Sequence, residues 1–165
     1  MIKIFLCAVI VLSTTFLSNS YAQRLHNRAQ NLSALIEIIS KIKTLITFSC
    51  DDICNVITKS FEGYKSFCMF SDFNTEKDSF TGTWNEKVRT IEKSSGLMKS
   101  DKDILVRFGA GLGTTDTEGQ LAHLQMFSEL FEHQLMDARN NVSTKCRLYR
   151  ILGFSLGCAL ILVIV

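Results

Sequence analysis

Leu105-Val-Arg-Phe-Gly-Ala-Gly-Leu-Gly-Thr-Thr-Asp-Thr-Glu-Gly-Gln120 reads as the end of one helix, a tight turn and the start of the next. Ile104, Leu105 and Phe108 hold a helical spacing that stops at the glycines. Upstream, Ser100-Asp-Lys-Asp103 has the spacing of a capping box, with Asp in the place of the usual Glu, and is expected to open this helix. Thr115-Asp-Thr-Glu118 repeats that spacing beyond the turn, so Asp116 or Thr115 is the expected cap of the second helix, with Gly113 as the left-handed end of the first. The run Gly-x-Gly-x-Gly fits neither the dinucleotide fingerprint nor the Walker loop: no Lys-Ser/Thr follows it and no strand precedes it. A turn between helices is favoured over a phosphate loop.

Past the turn, Leu121, Leu124, Ser128, Phe131, Leu135, Ala138, Val142 and Tyr149 keep a three–four rhythm, with polar residues opposite. No breaker intervenes before Gly153, so one helix is expected from Thr117 into the apolar C-terminus, ~70 Å in all. Toward the N-terminus, Trp84, Val88 and Ile91 mark another helix, ended near residues 94–96, and residues 71–82 form the most loop-like stretch. Phe61, Tyr64, Phe67, Cys68 and Phe70 form an aromatic cluster best read as core. Asp51 or Asp52 is placed to cap a short helix bearing Ile53, Val56 and Ile57. Before it, Leu25, Ala29, Leu32, Ile36, Ile39, Ile42 and Ile46 recur at three and four residues in a chain without proline. The fold class expected is all-α: a helical bundle whose first and last helices are continuous with the chain's two apolar ends.

Those ends decide what kind of protein this is. Residues 4–23 carry no charge and residues 151–165 none, while all 16 acidic residues lie between. About 20 residues of helix cross a hydrocarbon core. Residues 1–23 are therefore read as a transmembrane anchor, 24–147 as a cytoplasmic helical bundle and 148–165 as a second, short transmembrane helix. Beside the spans the central segment carries Arg24, Arg28, Lys41, Arg139, Lys145, Arg147 and Arg150, against Lys3 alone outside, which by the positive-inside rule puts the middle in the cytoplasm. A signal peptide cleaved after Ala22 is the alternative, giving an exported, C-terminally anchored helical protein; Arg24 and Arg28 argue against export. Gly153 and Gly157, one turn apart, read as a packing face within the membrane, toward the first span or toward a second copy of the chain.

Hydrophobic residues make up 47% of the 165 and charged residues 21%, which excludes a disordered chain, and a net charge of +2 offers no general attraction for nucleic acid. Cys50 and Cys54 sit one helical turn apart without a second pair or a neighbouring His, so no metal is expected. His26, His123 and His133 are scattered and read as surface or helix-flank residues. Asn31-Leu-Ser33 and Asn141-Val-Ser143 match the glycosylation pattern but fall in the segment read as cytoplasmic. Asp101 and Asp103 are the nearest approach to paired carboxylates, and a helix N-terminus accounts for them better than catalysis. No catalytic residue and no cofactor is expected. A ligand-sensing module is the rival reading, with Asp116, Gln120 and His123 beside the turn as its candidate polar groups.

With this layout the chain resembles the stage III sporulation protein AB family of endospore-forming bacteria. The likeness covers nearly the whole chain and rests most on Phe108-Gly109, Leu112-Gly113, Asp116 and Gln120 at the family's spacing, followed by a polar helix entering a final apolar span. Trp84, Ser13-Thr-Thr15, Gly153 and Gly157 also sit where the family pattern has them. The resemblance implies a relative of the F platform component of type II secretion systems. It implies work in the channel complex joining mother cell and forespore, in the mother-cell-derived outer forespore membrane. Its implied partners are the other components of that complex, including a secretion-type ATPase on the cytoplasmic side, and it implies no catalytic residues.

Overall fold

In the computed structural model the backbone is described for residues 2–49, 51–73 and 79–164, and the side chains for residues 20–49, 51–73 and 79–144. Every described element is helical: α1 (Ile2–Phe48), α2 (Ile53–Phe61), a 3-10 segment (Lys65–Phe70), α3 (Phe80–Thr90), a 3-10 turn (Lys93–Ser95), α4 (Lys99–Gly111) and α5 (Thr117–Ile164). The all-α bundle expected from periodicity is what folds.

The helix boundaries follow local chemistry. Asp52 stands before α2 and its carboxylate accepts from the Cys54 amide at 3.2 Å. Ser79 does the same for α3, accepting from Gly82 N–H at 3.2 Å. That cap starts α3 at Phe80, inside the stretch expected to be loop, and α3 stops at Thr90, short of residues 94–96. The α4 start also differs from expectation. Met98, not Ser100, is the N-cap residue, and Asp101 rather than Asp103 occupies the third helical position, where its carboxylate accepts from Met98 N–H at 2.8 Å. Asp103 is exposed.

α1 and α5 are the two long members and they run antiparallel. Lys43 of α1 donates to Gln125 of α5, and Arg28, four turns earlier in α1, donates to Gln134, further along α5. From α1 the core takes Leu25, Leu32, Leu35, Ile38, Ile39 and Ile42, and from α5 Leu124, Phe127, Phe131, Leu135 and Ala138. Spacings of three, four and seven on both helices make one continuous seam. The shorter helices close over one side of this pair.

Their packing centres on Trp84, fully buried, with its indole N–H donating to the Leu105 carbonyl at 2.8 Å. Phe61, Phe70, Phe73, Phe80 and Phe108 all lie with ring centroids within 6.1 Å of it. Aromatic pairs at such separations prefer offset or edge-on approaches, and both occur here. Phe61, Phe67 and Phe70 are thus core, whereas Tyr64 is only half-buried and Cys68 is exposed.

Antiparallel pairing has a consequence for the apolar ends. α1 and α5 leave the bundle on the same side, at Ser20 and Thr144. Among the described residues no helix is long and apolar enough to cross a membrane. Apart from residues 20–23, the expected spans 1–23 and 148–165 lie outside the residues whose side chains are described, as do Gly153 and Gly157.

Candidate functional site

The glycine motif forms the turn from α4 to α5. Phe108 is buried, its ring 5.8 Å from Trp84 and 5.5 Å from Phe127. Gly109 lies flat against the Trp84 indole, and a Cβ there would overlap the ring. Leu112, also buried, follows the last helical residue with an extended backbone, and Gly113 then turns the chain at φ +71°, a conformation side chains other than glycine rarely take. Asp116 caps α5: its Oδ1 accepts from Gly119 N–H at 3.1 Å.

Two side chains of α5 reach back to the end of α4. The Gln120 amide donates to the Gly111 carbonyl at 3.0 Å and to Thr115 Oγ1 at 3.1 Å. His123 sits half-buried against Phe108 and Phe127, with Nε2 2.9 Å from the Phe108 carbonyl. A carbonyl only accepts, so the proton is on that nitrogen. Thr114 Oγ1 also donates to Gly111 O, at 3.0 Å. The last carbonyls of a helix have no partner within it, and here the following helix supplies partners for two of them. His123 is therefore not the surface residue its sequence context suggests. Asp116, Gln120 and His123 do converge, but their hydrogen bonds go to the turn itself; only Gln120 Oε1 is buried without a partner.

A second polar cluster escaped the sequence reading. Arg28, taken there as a flanking charge, is buried on α1, and its Nε and guanidinium NH2 group grip the two oxygens of Asp101 at 2.8 Å each. The same NH2 group donates to Gln134 Oε1 at 2.9 Å. Side-chain exposure is 4% for Arg28 and 0% for Asp101. The hydrogen bonds it donates to Asp101 push the Arg28 pKa above its ordinary value, outweighing the burial that opposes them. One bidentate pair thereby ties α1, α4 and α5 together. A signal was present: Arg28 falls between Leu25 and Leu32 on the apolar stripe, and Asp101 precedes Ile104, Leu105 and Phe108 at the same spacing. A charge on a core stripe needs a buried opposite charge. Nearby, Asn31 Nδ2 donates to Ser95 O at 2.8 Å and is buried, which occupies the nitrogen of the first glycosylation-like pattern.

The class that fold and turn define is a small helical bundle hung between two long antiparallel helices, with an α4–α5 turn closed by side-chain capping. The chain matches the model of the Stage III sporulation protein AB (spore_III_AB) family over residues 3–165, and it belongs to that family. Membership implies a role in endospore formation. A curated relative, the Stage III sporulation protein AB of Bacillus subtilis (strain 168), is 28% identical over 99 residues. That match spans 59% of this chain and 58% of the relative. No solved structure matches it significantly.

Proposed function

We propose that this protein is a non-enzymatic, membrane-anchored structural and coupling component of a secretion-like channel assembly built during endospore formation. Its bundle stands in the mother-cell cytoplasm and its apolar ends are anchored in the mother-cell-derived outer forespore membrane. The observation that carries the reading is the shared exit of α1 and α5: the helices that lead to the two charge-free stretches, 4–23 and 151–165, leave one end of a bundle stitched by Arg28 and Asp101. Such a pair inserts as a hairpin and holds the bundle upright on the bilayer. Force or position applied to the bundle then reaches both spans. The polar groups of the motif spend their hydrogen bonds on holding the turn, which favours a structural role over a reactive one.

Partners on this reading are the other components of the complex, including a secretion-type ATPase docking from the cytoplasm, with a second copy of the chain as a further candidate. Co-purification from sporulating cells tests membrane, partner and stage together, and recovery of the chain without other membrane proteins would refute the proposal. Topology has its own test. A variant keeping Cys68 as its sole cysteine should resist an impermeant thiol reagent in whole cells and react after lysis, because Cys68 is exposed on the bundle. Labelling in intact cells would instead support the exported form.

A further inference from the structure

Among the described residues, the large apolar side chains that stand exposed are Tyr21, Phe48, Met98, Met126 and Met136. The last two share α5, at 51% and 63% exposure and ~15 Å apart along the helix. At 3.6 residues per turn both fall on the side of α5 turned away from Leu124, Phe127, Phe131 and Leu135. Glu129, Glu132 and His133 are exposed on that side as well.

The charge around the two methionines has one sign. Between Arg107 and Arg139 the chain has no Lys or Arg, while Asp116, Glu118, Glu129, Glu132 and Asp137 all fall there. Glu129 and Glu132 lie between the methionines, and among the described residues neither has an ion-pair partner. Gln125 Nε2 donates to Glu129 at 3.0 Å, and Lys43 of α1 is spent on Gln125. Methionine is unbranched and adapts to many contact shapes. Two of them set among unpaired carboxylates suit the apolar stripe and basic flanks of an amphipathic helix.

We infer that this outer face of α5 receives a basic amphipathic helix of another protein in the assembly, which deepens the coupling reading proposed above and rests on it. Laid along α5, such a helix sets one apolar residue on Met126 and a second, about three turns away, on Met136. Lys or Arg between those two meets Glu129 and Glu132. A second copy anchored in the same membrane would run parallel and bring Glu129 against Glu129 and Glu132 against Glu132, a like-charge contact that costs binding. Nucleic acid and an anionic bilayer meet the same repulsion.

The test places a photo-crosslinking amino acid, benzoylphenylalanine, at Met126 or at Met136 of the full chain in sporulating cells, and the crosslinked peptides are sequenced by mass spectrometry. Both positions should capture one segment of one other protein, with Lys or Arg between apolar residues about three turns apart. Adding Glu132→Lys should cut the yield about tenfold, because like charges then meet. Glu86→Lys, the same change at an exposed position of α3, should leave the yield unchanged. Matching helicity and melting of the two charge variants show that both are folded. Capture of an acidic or uncharged segment overturns the inference, as do equal yields with and without Glu132→Lys or an equal loss in Glu86→Lys. Capture of a second copy overturns it too, and a link from position 126 to position 136 of that copy, which needs antiparallel chains, sinks the shared-membrane reading as well. No capture from either position, while the chain still co-purifies with other membrane proteins, removes this face alone. No capture and no co-purification removes the coupling reading with it.

Discussion

Arg28 and Asp101 illustrate how a single pair can decide an architecture without adding much net energy. Removing both charges from water is costly, and the bidentate geometry with Gln134 and Met98 N–H offsets it. Breaking the pair is another matter, because the survivor stays buried. Asp101→Ala should lower unfolding free energy by about 3–5 kcal/mol in chemical denaturation. Arg28→Met combined with Asp101→Leu should recover most of that loss, whereas a charge needed for its own sake would leave the double variant as weak as the single. Gly109→Ala should cost about 1–3 kcal/mol, since the added methyl must push the Trp84 indole out of a filled core. At the surface, Lys59 draws the Asp51 pKa below its ordinary value. A carboxylate depressed in the folded state adds stability above its unfolded pKa, and that increment disappears as pH falls through the folded pKa. Asp51→Asn should therefore weaken the protein slightly at neutral pH and not at all in strong acid, as pH-resolved thermal melts would register.

At the scale of elements, periodicity carried far. The course of α1 and α5, the Asp52 cap and the turn at Gly113 follow from spacing and from the backbone freedom or capping chemistry of one residue type. On α1, however, Leu35 and Ile38 are buried while Ile36 and Ile46 of the expected stripe are half-buried. What spacing could not supply was phase at short helices. An N-cap at Met98 instead of Ser100 is a shift of two residues, and with it the third helical position passes from exposed Asp103 to Asp101, which is also half of a buried pair. Phe127 falls outside the three–four run and His123 reads in sequence as a surface or helix-flank residue; with Phe108 packed against both, the first is buried and the second half-buried. The α4–α5 turn is where the candidate site was most legible, since glycine, aspartate and glutamine each have one local job there. Asp116→Ala should cost about 0.5–2 kcal/mol, the range for removing an N-cap, in the absence of any partner. A melt unchanged by this substitution, paired with loss of binding to the assembly, would make the residue an interface instead.

For the whole molecule, the two long helices set the geometry through which any load must pass. Their described parts, residues 20–48 and 117–144, run side by side for ~40 Å. On the membrane reading proposed above, Gly153 and Gly157 should form a packing face toward the first span or toward a second copy of the chain. An in-membrane association assay should show weaker signal for Gly157→Leu than for Leu160→Ala.

The same pairing joins two helices that are far apart in the order of synthesis. α1 packs chiefly on α5, whose buried residues begin at Leu124, so the ribosome must add about ninety residues after Leu32 before the seam can close. At ~5–20 residues per second that is about 5 to 20 seconds during which an apolar stripe stands open. A nascent chain arrested before α5 should be held by chaperones or aggregate, and release should follow only once α5 has emerged. Closure of the seam is thus timed by the translation of α5.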